Sequence, residues 1–203
     1  MDKLETGDLI LFSYSGTGCS GILSKLIKWG TESKFTHIGI ILINPNFNGS
    51  ELKGKYVWES GYEGLKDPQD RKIKLGVKIT PINEIIDSYK NNGEIYIRKL
   101  ENIDRQQIFS NINLEKIHKV VYNKPYDLVP TDWIEALLRK DSNPKKTDRF
   151  WCSALVGYIY TKLGILPENT DWSILRPCDF SGENNNIILK NNYILKKLEK
   201  IEL

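Results

Sequence analysis

Apolar and polar positions along this chain change period several times, and each change marks an element. Residues 8–14 form an almost unbroken apolar run that stops at Ser15-Gly16-Thr17-Gly18, which predicts a strand followed by a turn. From 19 to 29, Ile22, Leu23, Leu26 and Ile27 recur on one helical face, predicting a helix that Gly30 ends. Residues 37–43 and 55–60 are rich in β-formers, and Asn44-Pro45-Asn46-Phe47-Asn48-Gly49 between them is turn-forming. Together they predict an antiparallel hairpin with a long connection. Alternation over 74–80 predicts a further strand. Pro81 then opens a helix over 81–89, with Ile82, Ile85, Ile86 and Tyr89 in phase, and 94–100 alternates as a strand.

The second half of the chain is dominated by helical phases. Ile108, Ile112, Ile117, Val120 and Val121 share a face over 104–122, and Thr131 caps a shorter helix over 131–139. The strongest helical signal covers 148–163, with Asp148 as the expected N-cap and Gly164 as the stop. The segment 193–201 fits a strand or a helix equally well. No repeat and no dividing linker is visible, so residues 1–203 read as one domain.

Composition changes this picture little. The 203 residues are 40% apolar and 27% charged, as in a folded globular chain. A net charge of +3, with Lys and Arg scattered, gives no basic patch for a nucleic acid, so none is expected as a partner. The first eight residues lack the apolar core of a secretory signal, and no apolar run reaches bilayer-spanning length. Three cysteines without CxxC spacing (Cys19, Cys152 and Cys178) speak against a disulfide framework or structural zinc, and for a reducing, cytoplasmic compartment. Asp127 and Asp132 lack companions at ligand spacing, so neither a metal nor a cofactor is expected.

The candidate chemistry gathers on three residues. Cys152 opens the helix of Phe150-Trp151-Cys152-Ser153-Ala154-Leu155-Val156, where the positive end of the helix dipole favours a thiolate by about 0.3–1 kcal/mol. That is too little for a nucleophile, which needs a base. The alternative is a small buried core cysteine. His37 opens the apolar run of the first hairpin strand; a histidine there is either such a base or an ordinary strand residue. Paired residues of a hairpin have a constant index sum, here expected near 96. His37 then lies opposite Glu59, on the same face, where the carboxylate can orient the imidazole. A one-residue slip would send Glu59 to the other face.

Gly7-Asp8-Leu9-Ile10-Leu11-Phe12, Thr36-His37-Ile38-Gly39, Val57-Trp58-Glu59-Ser60, Pro125-Tyr126-Asp127 and Trp151-Cys152-Ser153-Ala154-Leu155-Val156 occur in that order. Together they resemble the permuted papain-like proteins of the NlpC superfamily, in its YiiX-like and poxvirus-type branch, with Pro177-Cys178-Asp179-Phe180 similar to the closing segment. The resemblance implies an α+β fold in which a small antiparallel sheet packs on helices. It also implies Cys152 as nucleophile, His37 as base and Glu59 as orienting acid, acting on amide or ester bonds of a peptide or acyl substrate. The chain lacks the second histidine and the Asn-Cys-Glu-His box of the lecithin:retinol acyltransferase-like branch, so lipid acyl transfer is less supported.

The oxyanion of such a reaction would meet the Cys152 backbone N–H, with Tyr14 or Ser13 as a second donor. Trp151 and Tyr126 are candidate cleft residues, although Tyr14 and Tyr126 suit simple packing as well. His118 is expected to be a solvated surface residue and Cys19 and Cys178 buried thiols. The 61–76 loop, directly after Glu59, is a candidate wall of the cleft. Two function classes remain: a thiol hydrolase, and a catalytically silent papain-like binding or virion structural module. Contact with a membrane would rest on the 19–29 helix alone.

Overall fold

The computed structural model describes residues 3–14, 33–128, 146–183 and 187–202. The helices expected over 19–29 and 131–139, with Cys19 and Asp132, lie outside these residues. Elsewhere the molecule is of mixed α+β type, built on a six-stranded antiparallel sheet in the order β10-β7-β1-β2-β5-β6. Its strands are β1 (Leu9–Tyr14), β2 (His37–Ile43), β5 (Lys55–Gly61), β6 (Gly76–Pro81), β7 (Gly93–Arg98) and β10 (Glu199–Ile201). Two short ribbons pair β3 (Asn46–Phe47) with β4 (Ser50–Glu51), and β8 (Leu100–Glu101) with β9 (Ile194–Leu195). The ambiguous tail is therefore strand, its last segment closing the sheet beside β7.

The central strands are buried on both faces, which is why β1 and β2 read as apolar runs and not as alternations. On one face Ile10, Phe12, Ile41 and Val57 meet Ile82, Ile85, Ile86 and Tyr89 of α1 (Ile82–Tyr89). On the other, Leu9, Leu11, Ile38, Ile40, Trp58 and Ile79 pack beneath α4 (Cys152–Lys162). Nine consecutive residues of α4 are buried, so this helix is enclosed on all sides. No helix among the described residues is long and apolar enough to cross a membrane.

The structure corrects the helix expected over 104–122, which is two helices: α2 (Arg105–Ile108) and α3 (Asn111–Val121). Phe109 interrupts them by inserting its ring against Gly7, where even a Cβ would come within 2.2 Å of the ring. Asn113 then donates to the carbonyls of Gln107 and Ile108, satisfying the end of α2 from the start of α3. Asp104, not its neighbours, caps α2 through Gln107 N–H.

A buried carboxylate fastens the N-terminal segment to this region. Asp8 is fully buried and accepts from Glu5 N–H (3.0 Å), Leu100 N–H (3.1 Å) and Arg105 Nη2 (2.9 Å). Asp8→Ala would leave both amides without this acceptor and take from Arg105 its buried carboxylate, leaving it Glu5 and the Thr6 and Leu100 carbonyls. We expect a loss of about 3 kcal/mol, seen in thermal denaturation as a midpoint lower by about 6–12 °C.

His118 is also corrected. It is 2% exposed, not solvated, because α3 turns it inward between Phe47 (4.1 Å, near parallel) and Tyr122 (4.8 Å). Its Nε2 lies 2.7 Å from Gln69 Oε1. Burial lowers its pKa from 6.5 to about 4, against the charges of Asp67 and Glu115 and with that of Lys74. The unfolded chain then binds a proton that the folded state refuses, so stability falls as pH drops from about 6.5 toward 4. At pH 5 this linkage costs about 2 kcal/mol. Urea unfolding at pH 7 and pH 5 should show that difference in the native protein and a smaller one in His118→Phe.

Candidate active site

The ionisable residues collect at one end of the sheet because of strand register. Gly39 lies opposite Glu59, so the index sum is 98 and not the expected 96. Glu59 is thus diagonal to His37, not opposite it. A slip of two residues keeps both side chains on one face, and the diagonal still lies within reach of long side chains. The glycine of Ser60-Gly61-Tyr62 makes room for the ring: a Cβ at Gly61 would come within 2.9 Å of His37 Cε1.

His37 Nε2 lies 2.7 Å from Glu59 Oε2, and the other Glu59 oxygen accepts from the Thr80 hydroxyl. The ring stacks obliquely on Phe12, 5.4 Å away. Cys152 interacts with the same imidazole closely enough to raise its pKa. All three candidate residues therefore converge. They are also well enclosed, with Glu59 at 0%, Cys152 at 3% and His37 at 7% exposure.

Cys152 is the first residue of α4, and Trp151 is its N-cap. The expected cap, Asp148, instead engages Arg149 at 2.9 Å, because residues 148–151 are not helical and the helix starts only at Cys152. The thiol is fixed by ties on either side of it. Ser60, on the strand that carries Glu59, donates to Phe150 O at 2.6 Å. Phe150 also exchanges backbone bonds with Pro125 (3.1 Å) and Asp127 (3.3 Å). Beyond the cysteine, Ser153 Oγ and Trp151 Nε1 both donate to Leu175 O, at 2.7 and 3.3 Å. Trp151 is half-buried.

The Phe150 exchange brings Tyr126 into the neighbourhood of the thiol. Burial drives the Tyr126 pKa well above its ordinary value, helped by the charges of Cys152, Glu63 and Asp127. Tyr14 places its ring edge-on to Tyr89, 5.8 Å away. Tyr89 is itself raised by burial and then by the charges of Glu63, Glu59 and Cys152, so α1 roofs the site. Cys178 is buried in a 3₁₀ turn, Pro177–Phe180.

Burial alone would depress His37. The ring's interactions with Cys152 and with the accepting Glu59 carboxylate, and the charges of Cys152 and Glu63, overcome it, so the imidazolium persists well above 6.5. Glu59 faces the same desolvation, yet its bond to His37, the charges of His37 and Lys78 and the Thr80 bond hold it below the usual carboxylate range.

Sequence reasoning missed two residues here. Glu63 follows β5 and brings Oε1 to 3.7 Å from His37 Nε2, so the 61–76 loop does border the site. Lys78 stands opposite Glu59 on β6, with its Nζ 2.5 Å from Glu63 Oε2. A signal for Lys78 existed: a lysine inside the apolar strand Gly76-Val77-Lys78-Ile79-Thr80, in phase with Thr80. Donor atoms of His37, Glu59 and Glu63 lie within 4.8 Å of one another. The arrangement suits a metal ion poorly, since the Lys78 ammonium already supplies the positive charge and both Glu59 oxygens are engaged. Comparison with protein-family models gives no match, and none is found among curated proteins.

Proposed function

We propose that this protein is a cysteine hydrolase of permuted papain-like organisation, cleaving an amide or ester bond in a peptide or acyl substrate. The observation that carries the reading is that Thr80 donates to Glu59, Glu59 holds the His37 ring, and that ring interacts with a sulfur at the first position of a buried helix. In this reading Cys152 Sγ attacks the carbonyl carbon, and His37 passes its proton to the leaving amine or alkoxide as the carbonyl–heteroatom bond breaks. The imidazole then takes a proton from water, whose oxygen displaces the thiolate from the acyl-enzyme. Glu59 holds the ring in one tautomer and balances the imidazolium. The Cys152 N–H is among the helix-start amides without an intrahelical acceptor, which suits an oxyanion donor, and Tyr126 neighbours the Cys152 side chain.

One observation favours a second reading, a silent binding or virion structural module: the low exposure of Cys152 and His37. Alkylation separates the two. Iodoacetamide or an acyl-electrophile probe at pH 6–7 is expected to label Cys152 ahead of Cys19 and Cys178, as read by peptide mass spectrometry. Equal or slower labelling of Cys152 would favour the silent module.

A further inference from the structure

The most costly feature of the site is one that a Cys-His-Glu triad does not need. Lys78 is 1% exposed and the Glu63 side chain 9%, and each offers the other a close ionic contact. Yet among the described residues neither Lys78 Nζ nor Glu63 Oε2 has a well-directed hydrogen bond. A buried ion pair with poor geometry is commonly no more stable than apolar residues of the same volume, so stability does not account for it.

Its position suggests what does. Two carboxylates compete for one ring nitrogen, Glu59 at 2.7 Å and Glu63 at 3.7 Å. The Lys78 ammonium takes Glu63 by its far oxygen, and Lys78 stands opposite Glu59 in the β5–β6 ladder. We propose that Glu63 and Lys78 form a positioning pair. Lys78 withholds Glu63 from the imidazole and keeps Glu59 as the carboxylate that orients it. This inference rests on the hydrolase reading above. Neither residue touches substrate; both act through His37.

The electrostatics agree. Glu63 is driven upward by burial and by the charge of Glu59, while His37 and Lys78 pull it back, so it is the weaker rival for a positive partner. The other ionisable groups that face the cluster are Cys152 of α4, Tyr126 and Tyr89 of α1. The two tyrosines are raised well above 10 and stay neutral through the range tested.

A double-mutant cycle tests the pair, with the rate of Cys152 alkylation by iodoacetamide as readout and circular dichroism to check the fold. Lys78→Met frees Glu63 and is expected to slow alkylation about tenfold. It should also move the acid limb of the pH profile upward, because Glu59 loses a neighbouring positive charge. Glu63→Gln leaves Lys78 to draw on Glu59 and should slow the reaction severalfold. The double variant removes rival and restraint together and should recover to within about threefold of the native rate. A double variant at least as slow as the product of the two single losses overturns the proposal, as does an acid limb unmoved in Lys78→Met. If Lys78→Met fails to fold, Glu63→Gln and the double variant decide by the same recovery. Failure of native Cys152 to label refutes the hydrolase reading itself, whereas labelling without recovery refutes only the pair.

Discussion

Replacing Cys152 with alanine is expected to abolish turnover of any acyl probe the native protein processes, with the fold left in place. The substitution removes one sulfur atom from a residue enclosed by Ser60–Phe150 on one side and Ser153–Leu175 on the other, and it breaks neither tie. Alanine keeps the start of α4 helical, so a stability change within about 1 kcal/mol is expected. The rate should fall by about 10⁴ or more, because the sulfur that would form the acyl intermediate is gone. Single-turnover kinetics and thermal denaturation of the same preparation check both halves. Turnover that survives in a folded Cys152→Ala protein would refute the proposed nucleophile.

The second large effect is expected from Glu59→Gln. The amide is nearly isosteric and can still accept from His37 Nε2–H, but it carries no charge to balance an imidazolium. The same carboxylate-to-amide change in a Ser-His-Asp triad costs about 10⁴ in kcat, and a drop approaching that order is expected here. The pH behaviour gives a sharper check. His37 is held well above its ordinary 6.5 partly by the Glu59 bond, so the variant's imidazolium should lose its proton at lower pH. An NMR titration of the ring would read this directly. Stability follows the same sign. A raised histidine contributes stabilisation that is fully present below about pH 6.5 and is lost as pH climbs through the native value. In the glutamine variant that contribution is smaller and vanishes at lower pH. A ring that titrates unchanged would mean that Glu59 does not govern it.

Much of the sheet was legible in the chain, since runs such as Leu9–Tyr14 and His37–Ile43 carry their own signal. The register was less so. A hairpin sum fixed by loop centre alone missed by two, because the connection is itself an Asn48-Gly49 ribbon whose length the sequence does not reveal. The break at Phe109 was hidden because apolar phase continues through it; what separates the two helices is a tertiary contact with Gly7. His118 was misjudged for a related reason. Flanking lysines advertise solvent, while the partners that bury it, Phe47, Gln69 and Tyr122, are scattered along the chain. The site's Cys, His and Glu were legible as residue types suited to one another. Glu63 was not, since nothing in a polar loop announces which carboxylate folds back.

The bond from Ser60 to Phe150 joins positions 90 residues apart, and it links the two halves of the candidate centre. Imidazole and carboxylate ride on neighbouring strands of one hairpin, while the sulfur arrives on a helix made much later in the chain. Reactivity of that sulfur therefore reports long-range assembly. Loosening the seam between hairpin and helix should silence it well before the sheet melts, making the thiol an early witness of partial unfolding.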